Sequence, residues 1–241
     1  MSDNNNRVMV LLLTCNQLGF TRDCIESVIK SDYPDFEIVV IDNGSSDGTH
    51  EALKSEYPEI TVIKNERNLG VGGGRNIGLC HFLNNSKSRY LYILDNDTVI
   101  DKHVISELVG LMEKDKRIGI AAGFLYYFSD PEVIHIAGGA FHNWKKGLFY
   151  GSMRGEKTGR KEIEREVEEV VGATIFTKRE VVEKTGLFHE EYFYGREDSD
   201  WSYRAAKFGY RFMATSRARI LHKVSQSMGM ESPYFYYYNT R

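Results

Sequence analysis

The sequence predicts an α/β domain with a mostly parallel central sheet that is flanked by helices. Short runs of Val, Ile and Leu alternate along the first half with stretches in which apolar residues recur at helical spacing. Such runs are typical of strands buried on both faces, and their alternation with helices favours parallel connections. Polar clusters directly follow three of the runs, at residues 14–16, 42–43 and 95–97. Because ligands bind outside the carboxyl ends of the strands in such sheets, these clusters indicate one site.

The elements of the first half follow from local patterns. The predicted strands are aliphatic runs at residues 8–13, 36–41, 60–64, 90–94 and 118–122. A helix is predicted after the first strand, where Phe20, Cys24 and Val28 recur at helical spacing. A second helix follows the glycines of residues 70–74 and runs to about residue 82, and a third covers residues 104–112.

The second half has a different composition, with aromatic residues and glycines mixed without a clear period. Its predicted elements are irregular hairpins or loops over residues 124–150, a solvated face or edge strand over 161–169, a buried run over 170–176, and short helices over 179–184 and 198–208 that end at Gly186 and Gly209. No linker separates the halves. We therefore expect a single domain over residues 1–241, with halves of about 1–123 and about 124–241.

Composition narrows the classes of partner. The 31 Lys and Arg residues stand against 34 Asp and Glu, for a net charge of −3, so a nucleic acid is not an expected partner. A small phosphorylated ligand stays open because it needs only a few local charges. The three cysteines are odd in number and lack a metal-binding spacing, which favours buried thiols in a reducing cytosol. No run approaches the roughly 20 apolar residues of a membrane span, so we expect a soluble cytoplasmic protein.

Asp95-Asn96-Asp97 carries the clearest chemical signal. Two carboxylates that lie two residues apart at a strand end can both reach one divalent cation, and oxygen ligands suit Mg²⁺ or Mn²⁺. The alternative is that these are turn and helix-capping residues, since Asp and Asn favour such positions. An EF-hand loop is excluded because the glycine that it requires is replaced by Ile100.

The glycine-rich stretch that ends at Arg75 offers a second signal. Ahead of a helix, it could present backbone N–H groups to a phosphate, and Arg75 could meet a base, ribose or phosphate. It is neither the dinucleotide fingerprint, because Arg75 stands at the last glycine position, nor a P-loop, because no Gly-Lys-Ser/Thr closes it. The alternative is that the glycines only allow a helix to pack closely on the sheet.

Two further features are candidates for chemistry. Glu197, Asp198 and Asp200 lie at the start of a predicted helix, where the helix dipole alone could account for them, or where one could act as a general base. His222 follows a short apolar strand and is either a ligand or an ordinary core or surface residue. The other six histidines show no usable pattern.

Together these segments resemble the family 2 glycosyltransferases, which have the GT-A nucleotide-diphospho-sugar transferase fold. The matching segments, in family order, are Leu12-Leu13-Thr14-Cys15-Asn16, Val39 through Thr49, Asn68 through Asn76, Ile93-Leu94-Asp95-Asn96-Asp97, Gly172-Ala173 and Glu197-Asp198-Ser199-Asp200-Trp201. The resemblance runs over nearly the whole chain. The form of the segment at Asn68 is most similar to the rhamnosyltransferase-type branch of bacterial polysaccharide synthesis.

The resemblance implies a first half that binds the nucleotide and a second half that binds the acceptor. The implied nucleotide-sugar residues are Thr14, Asn16, Asp42, Asn43, Asn68, Gly74, Arg75, Asp95 and Asn96. The implied acceptor-site residues are Gly172, Ala173, Glu197 and Trp201. Among these, Asp42 is expected to contact the pyrimidine base, and Arg75 the base or nucleoside.

The family's Asp-x-Asp motif corresponds to Asp95 and Asp97. The resemblance implies that Asp97 ligates Mn²⁺ or Mg²⁺ and that Asp95 contacts the ribose or the water shell of the metal. His222 matches a position where some members supply a further metal ligand. Asp198 corresponds to the catalytic base.

The resemblance therefore implies an inverting glycosyltransferase. It would move a sugar from a UDP- or dTDP-sugar to a hydroxyl of a saccharide or lipid-linked saccharide in the synthesis of a bacterial cell-surface polysaccharide. The alternatives are a sugar-1-phosphate nucleotidyltransferase and a non-catalytic nucleotide-sugar-binding protein. The family's Tyr-Tyr-x-x-Arg-Asn stretch is represented by the last residues of the chain, from Tyr237. Because relatives commonly continue further, this is either a compact member or a chain with sequence beyond residue 241, which could carry peripheral contact with the inner face of the membrane or part of the acceptor site.

Overall fold

The computed structural model describes residues 6–143, 148–157, 159 and 161–224. Its strands are β1 (Val8–Thr14), β2 (Phe36–Asp42), β3 (Thr61–Lys64), β4 (Tyr90–Asp95), β5 (Thr98–Ile100), β6 (Ile118–Tyr127), β7 (Ile134–Ile136), β8 (Gly139–Asn143), β9 (Leu148–Gly151), β10 (Glu164–Val167), β11 (Glu169–Val170), β12 (Thr174–Lys178) and β13 (Arg211–His222). Its helices are α1 (Leu18–Ile29), α2 (Thr49–Glu56), α3 (Gly70–Asn84), α4 (Val104–Lys114), α5 (Arg179–Thr185) and α6 (Glu197–Ala206).

A large mixed sheet forms the centre of the described chain. Its strands follow the order β10-β13-β6-β12-β4-β1-β2-β3, with β5 paired to β13 and β7 paired to β6. The strands β4, β1, β2 and β3 are mutually parallel, and β13 is parallel to β6. Antiparallel β12 lies between β4 and β6. The predicted α/β fold with a helix-flanked sheet is confirmed, and its parallel part lies mainly in the first half.

Both faces of the sheet are buried, as the aliphatic strands predict. In β1, alternate side chains point to opposite faces: Val10 packs in one cluster with Ile25 of α1, and Leu11 packs in the other with Leu79 of α3. Full burial of one such aliphatic side chain contributes about 1.5–3 kcal/mol. The two clusters hold the strands firmly, so the loops at the strand ends are presented by a rigid frame.

The glycines of residues 70–74 lie differently from the prediction, because α3 begins at Gly70 and most of them are inside the helix. A Cβ at Gly78 would lie 2.3 Å from the Leu11 side chain, and one at Gly74 would lie 2.6 Å from that of Leu13. These two positions therefore let α3 pack closely against β1, which is the alternative that the sequence left open.

Second-half elements are more regular than the sequence suggests. Strand β6 continues to Tyr127, five residues beyond its predicted end, and β8 and β9 form a regular antiparallel hairpin within the stretch predicted as irregular hairpins or loops. The predicted charged edge strand is present as β10, and α5 ends at Gly186 in a left-handed backbone conformation. The long strand β6 depends on β12 and β13, which are distant in sequence, whereas the two strands of the hairpin are neighbours along the chain.

The composition led us to expect buried thiols and no membrane-spanning segment, and the structure tests each of these in part. Cys24 is buried, but Cys15 is half-buried and Cys80 is exposed, so the expectation of buried thiols is wrong for Cys80. Within the described ranges, every helix is too short or too polar to cross a bilayer. The last residues of the chain, from Tyr237, which represent the Tyr-Tyr-x-x-Arg-Asn stretch, lie outside the described residues.

Candidate active site

A cleft of about 1410 Å³ opens at the carboxyl ends of β1 and β4. The strand register aligns Thr14 of β1 with Asp42 of β2, and Leu13 with Asp95 of β4. The antiparallel strand β12 begins at the same edge, where the backbone N–H of Asp95 donates to the Ala173 carbonyl at 3.2 Å. Side chains from both halves of the chain therefore meet in one cavity.

Asp95, Asp97 and His222 form a cluster at the floor of this cleft. Strand β5 turns back after Asp97 and pairs with β13, which brings His222 opposite Thr98. Each of the three side chains offers a ligand atom, and these atoms lie within 4.8 Å of one another. His222 Nε2 lies 3.1 Å from Asp97 Oδ1. Two carboxylates and an imidazole that converge at this spacing fit a divalent cation such as Mn²⁺ or Mg²⁺.

The electrostatics of the cluster favour a bound cation. Burial raises the pKa of Asp95, and the neighbouring Asp97 adds to the rise against the attraction of Arg75. Burial by itself would lower the pKa of His222, but the hydrogen bond and charge of Asp97 outweigh it, and the pKa is raised. The charge of Asp97 raises the pKa of Asp95 even with Arg75 beside it, so negative charge accumulates at this point, and a divalent cation would neutralise it.

His135 of β7 lies behind His222, on the side away from Asp97. Its Nδ1 is 3.3 Å from His222 Nδ1, and the two ring centroids are 5.2 Å apart. Burial, together with the nearby His222, lowers the pKa of His135 to about 4. His135 is therefore a neutral imidazole in contact with the outer face of the cluster.

Arg75 joins the two halves of the cleft. Its guanidinium is buried, with Nη2 donating to Asp95 Oδ1 at 2.7 Å and to the Gly172 carbonyl at 3.0 Å. Nη1 donates to Glu197 Oε1 at 3.1 Å. Sequence reasoning expected Arg75 to reach the nucleoside, whereas in this structure its N–H groups hold acids that other elements contribute.

Glu197 and Asp198 occupy the first turn of α6 on the opposite wall. Asp198 Oδ2 accepts from the Gly172 N–H at 2.7 Å, and Oδ1 accepts from the Ser199 N–H at 2.8 Å. Glu197 is buried, and its Oε2 has no hydrogen-bond partner among the described residues. Burial, followed by the charge of Asp198, raises the pKa of Glu197 to about 7 despite Arg75. Asp198 is therefore the oriented, partly open carboxylate of the two.

The side of the cleft that the first half of the chain forms is a hydrogen-bonded frame of polar side chains. Asn96 Nδ2 contacts the hydroxyl oxygens of Thr14 and Thr21 at 3.3 and 3.1 Å, and so ties β4 to β1 and α1. Asn43 Nδ2 donates to Asn68 Oδ1 at 2.9 Å. This frame fixes the shape of the pocket.

Asn16 belongs to the same frame. It has a left-handed backbone, with φ of 54°, and its Oδ1 accepts from the Ser46 N–H at 2.8 Å. Asn tolerates this conformation better than most residues, because its short side chain bonds to nearby backbone.

Most of the predicted site residues line this cleft. They are Thr14, Asn16, Asn43, Asn68, Arg75, Asp95, Asn96, Asp97, Gly172, Ala173, Glu197, Asp198 and His222. Asp97 and Asp198, which the enzymatic hypothesis requires to face one cavity, both belong to this set.

Three predicted site residues lie elsewhere. The Asp42 side chain is fully buried: its Oδ1 accepts from the Ser45 N–H at 2.9 Å, and its Oδ2 has no hydrogen-bond partner among the described residues, so its contact with a base stays a prediction. Gly74 lies against Leu13 as a packing position. Trp201 is fully buried, with its indole N–H bonded to the Gly186 carbonyl at 2.9 Å, so it does not line the cleft, and its part in shaping an acceptor site stays a prediction.

The start of α3 favours the alternative that its glycines serve close packing over the interpretation that they present N–H groups to a phosphate. The N–H of Gly70 donates to Asn68 Oδ1 at 2.8 Å, and that of Val71 donates to the Phe193 carbonyl at 2.7 Å. The N–H groups of the first two residues of α3 therefore have partners within the protein. The segment that precedes α6 covers this helix end.

Sequence reasoning missed His135, Gln17 and Tyr194. Gln17 Oε1 accepts from Asn96 at 3.0 Å. Tyr194 lines the cleft, and burial together with the nearby Asp95 raises its pKa. His135 had no local signal other than its position between two isoleucines, because its partner lies 87 residues away.

Known proteins similar to this chain point to one family. Residues 9–186 match the sequence model described as Glycosyl transferase family 2. The glycosyltransferase GlyA of Streptococcus pneumoniae is 28% identical over 143 residues, which are 57% of this chain and 20% of GlyA. The poly-beta-1,6-N-acetyl-D-glucosamine synthase of Staphylococcus epidermidis is 30% identical over 115 residues, 46% of this chain and 27% of the synthase. The chain thus spans only a fifth to about a quarter of the length of these relatives.

Solved structures share the fold at low identity. GalNAc-T7 in complex with UDP, GalNAc and Mn²⁺ superimposes with a TM-score of 0.73 at 20% identity, over 95% of this chain and 46% of that one. The mannosyltransferase PcManGT of Pyrobaculum calidifontis, in complex with GDP-Man and Mn²⁺, has a TM-score of 0.68 at 19% identity, over 93% of this chain and 59% of that one. Because the family model covers well over half of the sequence and the fold agrees with these transferases, this chain belongs to glycosyl transferase family 2.

Proposed function

We propose that this chain is the catalytic domain of an inverting glycosyltransferase. Its donor is a UDP- or dTDP-sugar, and its acceptor is a hydroxyl of a saccharide or lipid-linked saccharide in a bacterial cell-surface polysaccharide. The observation that carries the proposal is that Asp95, Asp97 and His222 line the same cleft as Asp198. The similarity to a polysaccharide synthase supports the choice of acceptor, and the sequence form at Asn68 supports a deoxyhexose donor of the rhamnosyltransferase type.

The reaction requires that the negative charge on the leaving diphosphate be neutralised, and the cation site meets this requirement. Asp95, Asp97 and His222 would hold Mn²⁺ or Mg²⁺, which would supply positive charge to stabilise the leaving diphosphate. Arg75 keeps Asp95 aimed at the cleft through its 2.7 Å hydrogen bond. The frame around Asn43 and Asn96 shapes the pocket that receives the nucleoside.

Asp198 accounts for the second requirement, which is removal of the acceptor proton. The Gly172 and Ser199 N–H groups orient its carboxylate, and each oxygen keeps a further lone pair for a substrate hydroxyl. In the transfer, the acceptor oxygen forms a bond to C1 of the sugar while the bond from C1 to the diphosphate oxygen breaks. Asp198 takes the hydroxyl proton. A single displacement of this kind inverts the anomeric centre.

The two alternative functions are less well supported. Sugar-1-phosphate nucleotidyltransferases carry a glycine-rich basic segment directly after the first strand, but here β1 is followed by Cys15 and Asn16, and the glycines belong to α3. A non-catalytic nucleotide-sugar-binding protein would not need an oriented carboxylate opposite the cation cluster. Turnover distinguishes this second alternative from an enzyme.

The test is a screen of nucleotide sugars by thermal unfolding with Mn²⁺ present. A donor at about 100 times its Kd stabilises the native state by about 2.7 kcal/mol, which raises the unfolding temperature by about 5–10 °C. We expect this rise for UDP- or dTDP-sugars, and we expect its loss on addition of EDTA and in Asp97→Ala. The product, analysed by NMR, should have the anomeric configuration opposite to that of the donor. A stabilisation that is independent of metal, or a retained configuration, contradicts the proposal.

A further inference from the structure

A second histidine supports the candidate metal ligand His222. His135 lies on β7, which pairs with β6, and β6 in turn pairs with β13 and so carries β7 next to His222. The His135 side chain is buried, and its ring packs between Tyr127, at a centroid distance of 4.9 Å, and His222, at 5.2 Å. Three neighbouring strands therefore hold the imidazole in place.

The contact between the two imidazoles has only one arrangement that is compatible with metal binding. The Nδ1 atoms face each other at 3.3 Å, so one must donate a proton and the other must accept it. His222 Nε2 points to the opposite side, towards Asp97 Oδ1 at 3.1 Å. For Nε2 to offer its lone pair to a cation, the proton of His222 must reside on Nδ1, and His135 Nδ1 must accept it.

We propose that His135 is a positioning residue that fixes the ring orientation and the tautomer of His222 for metal binding. Metal-bound histidines commonly donate their second ring nitrogen to a carboxylate, carbonyl or water, and here an imidazole takes that place. His135 lies outside the cluster of atoms that converge on the cation site, so it acts through His222. The inference rests on the proposed function, because it requires the cation site to be real.

Without an acceptor at position 135, His222 loses the partner that selects its Nδ1–H form. The ring can then turn about its side-chain bonds or carry its proton on Nε2, and in both cases the lone pair is lost to the metal. Loss of an outer partner of this kind typically costs 10–100-fold in metal affinity. The effect is on affinity for the ion itself and does not require knowledge of the sugar.

The experiment measures Mn²⁺ binding to the full chain by titration calorimetry, without nucleotide. His135→Leu fills the buried space but offers no acceptor, and we expect a 10–100-fold weaker affinity. His135→Asn places an amide oxygen near the position of the imidazole Nδ1, and we expect affinity within about threefold of the wild type. His103→Asn, at an exposed histidine, is the matched control and should bind as the wild type does.

The outcomes separate this inference from the proposed function. If His135→Leu binds Mn²⁺ as tightly as the wild type, or if His135→Asn is as weak as His135→Leu, the positioning role is wrong while the cation site stands. If the wild type does not bind Mn²⁺, or if Asp97→Ala binds it equally well, the cation site and this inference both fail. Thermal unfolding without metal checks that each variant is folded.

Discussion

The cleft contains two carboxylate pairs of the same chemistry in different surroundings. Asp95 ends β4, Asp97 follows it, and both face His222, so their oxygens converge with a nitrogen at ligand spacing. Glu197 and Asp198 begin α6, where Glu197 is buried beside Arg75 and Asp198 accepts two backbone N–H groups. The surroundings of these acids, more than their residue type, therefore determine what each pair is suited to do. Asp95 and Asp97 are suited to bind a cation, and Glu197 and Asp198 are suited to exchange a proton.

Within the second pair, the two acids also differ from each other. Burial and the charge of Asp198 raise the pKa of Glu197 to about 7, while Arg75 alone among the described side chains hydrogen-bonds to its carboxylate. Asp198 has its orientation set by the backbone and lies open to the cleft. We therefore expect Asp198 to act on substrate and Glu197 to hold Arg75 in place.

The largest expected effect is on turnover in Asp198→Asn. The amide keeps the size of the side chain but cannot take a proton, so turnover should fall by about 10²–10⁴-fold, the usual contribution of a general base. Mn²⁺ affinity should be unchanged, because Asp198 is not part of the cation cluster. Steady-state kinetics and calorimetry measure the two quantities.

Asp200→Asn is the matched control for this prediction. Asp200 lies in the same first turn of α6 but pairs with Arg204, and it does not line the cleft. The turnover of the Asp200→Asn variant should stay within about twofold of that of the wild type. Equal losses in the two variants would mean that the helix start, and not the base, was disturbed.

Glu197→Gln should change the pH dependence of stability. A carboxyl whose pKa rises from 4.5 to about 7 on folding stabilises the native state fully only below the lower value, and this contribution is lost as the pH rises through 7. The glutamine variant does not ionise. Between pH 4 and pH 8, the free energy of unfolding of the variant should therefore rise by about 3 kcal/mol relative to that of the wild type.

Urea unfolding at pH 4, 6 and 8 measures this gain. The charges of Asp198, Arg75 and Asp95 also affect the pKa of Glu197, so these three residues are left unchanged in the experiment. The exposed residue Glu191 provides the control variant Glu191→Gln. A difference between wild type and Glu197→Gln that is the same at every pH would refute the raised pKa.

The smallest expected effect tests the link between the two pairs. Arg75→Lys keeps the charge, but a lysine ammonium cannot reproduce the planar fork that reaches Asp95, Glu197 and the Gly172 carbonyl. Because Asp95 then loses an orienting partner, Mn²⁺ affinity should fall by about 10–100-fold. Turnover should fall as well, since Gly172 also holds Asp198.

Arg204→Lys is the comparison for this variant. Arg204 also bonds to a carboxylate and to backbone carbonyls, including that of Leu187, but it lies outside the cleft. We expect Arg204→Lys to retain Mn²⁺ affinity. Wild-type affinity in Arg75→Lys would show that the two carboxylate pairs are independent.

The local sequence was sufficient to predict the site residues that lie at or just after the ends of strands. The acids after β4 and the polar residues after β1 lie in the cleft because parallel strands end at one edge, and hydrophobic runs reveal where strands end. Asp42 shows the limit of this reasoning. Strand side chains alternate between faces, and the pattern of polar residues did not indicate that Asp42 turns inward while Asn43 lines the cleft.

The sequence by itself determined that hydrophobic runs pair into a sheet and that acidic residues meet at its edge, because both depend on neighbours along the chain. Only the tertiary structure decided that His135 contacts His222 and that Arg75 bonds to Glu197, which are 87 and 122 residues apart. It also decided that Trp201 packs inside and that glycines 74 and 78 lie against β1. The physical reason is that these contacts depend on strand order and on close packing between distant segments, and neither leaves a periodic signal in the sequence.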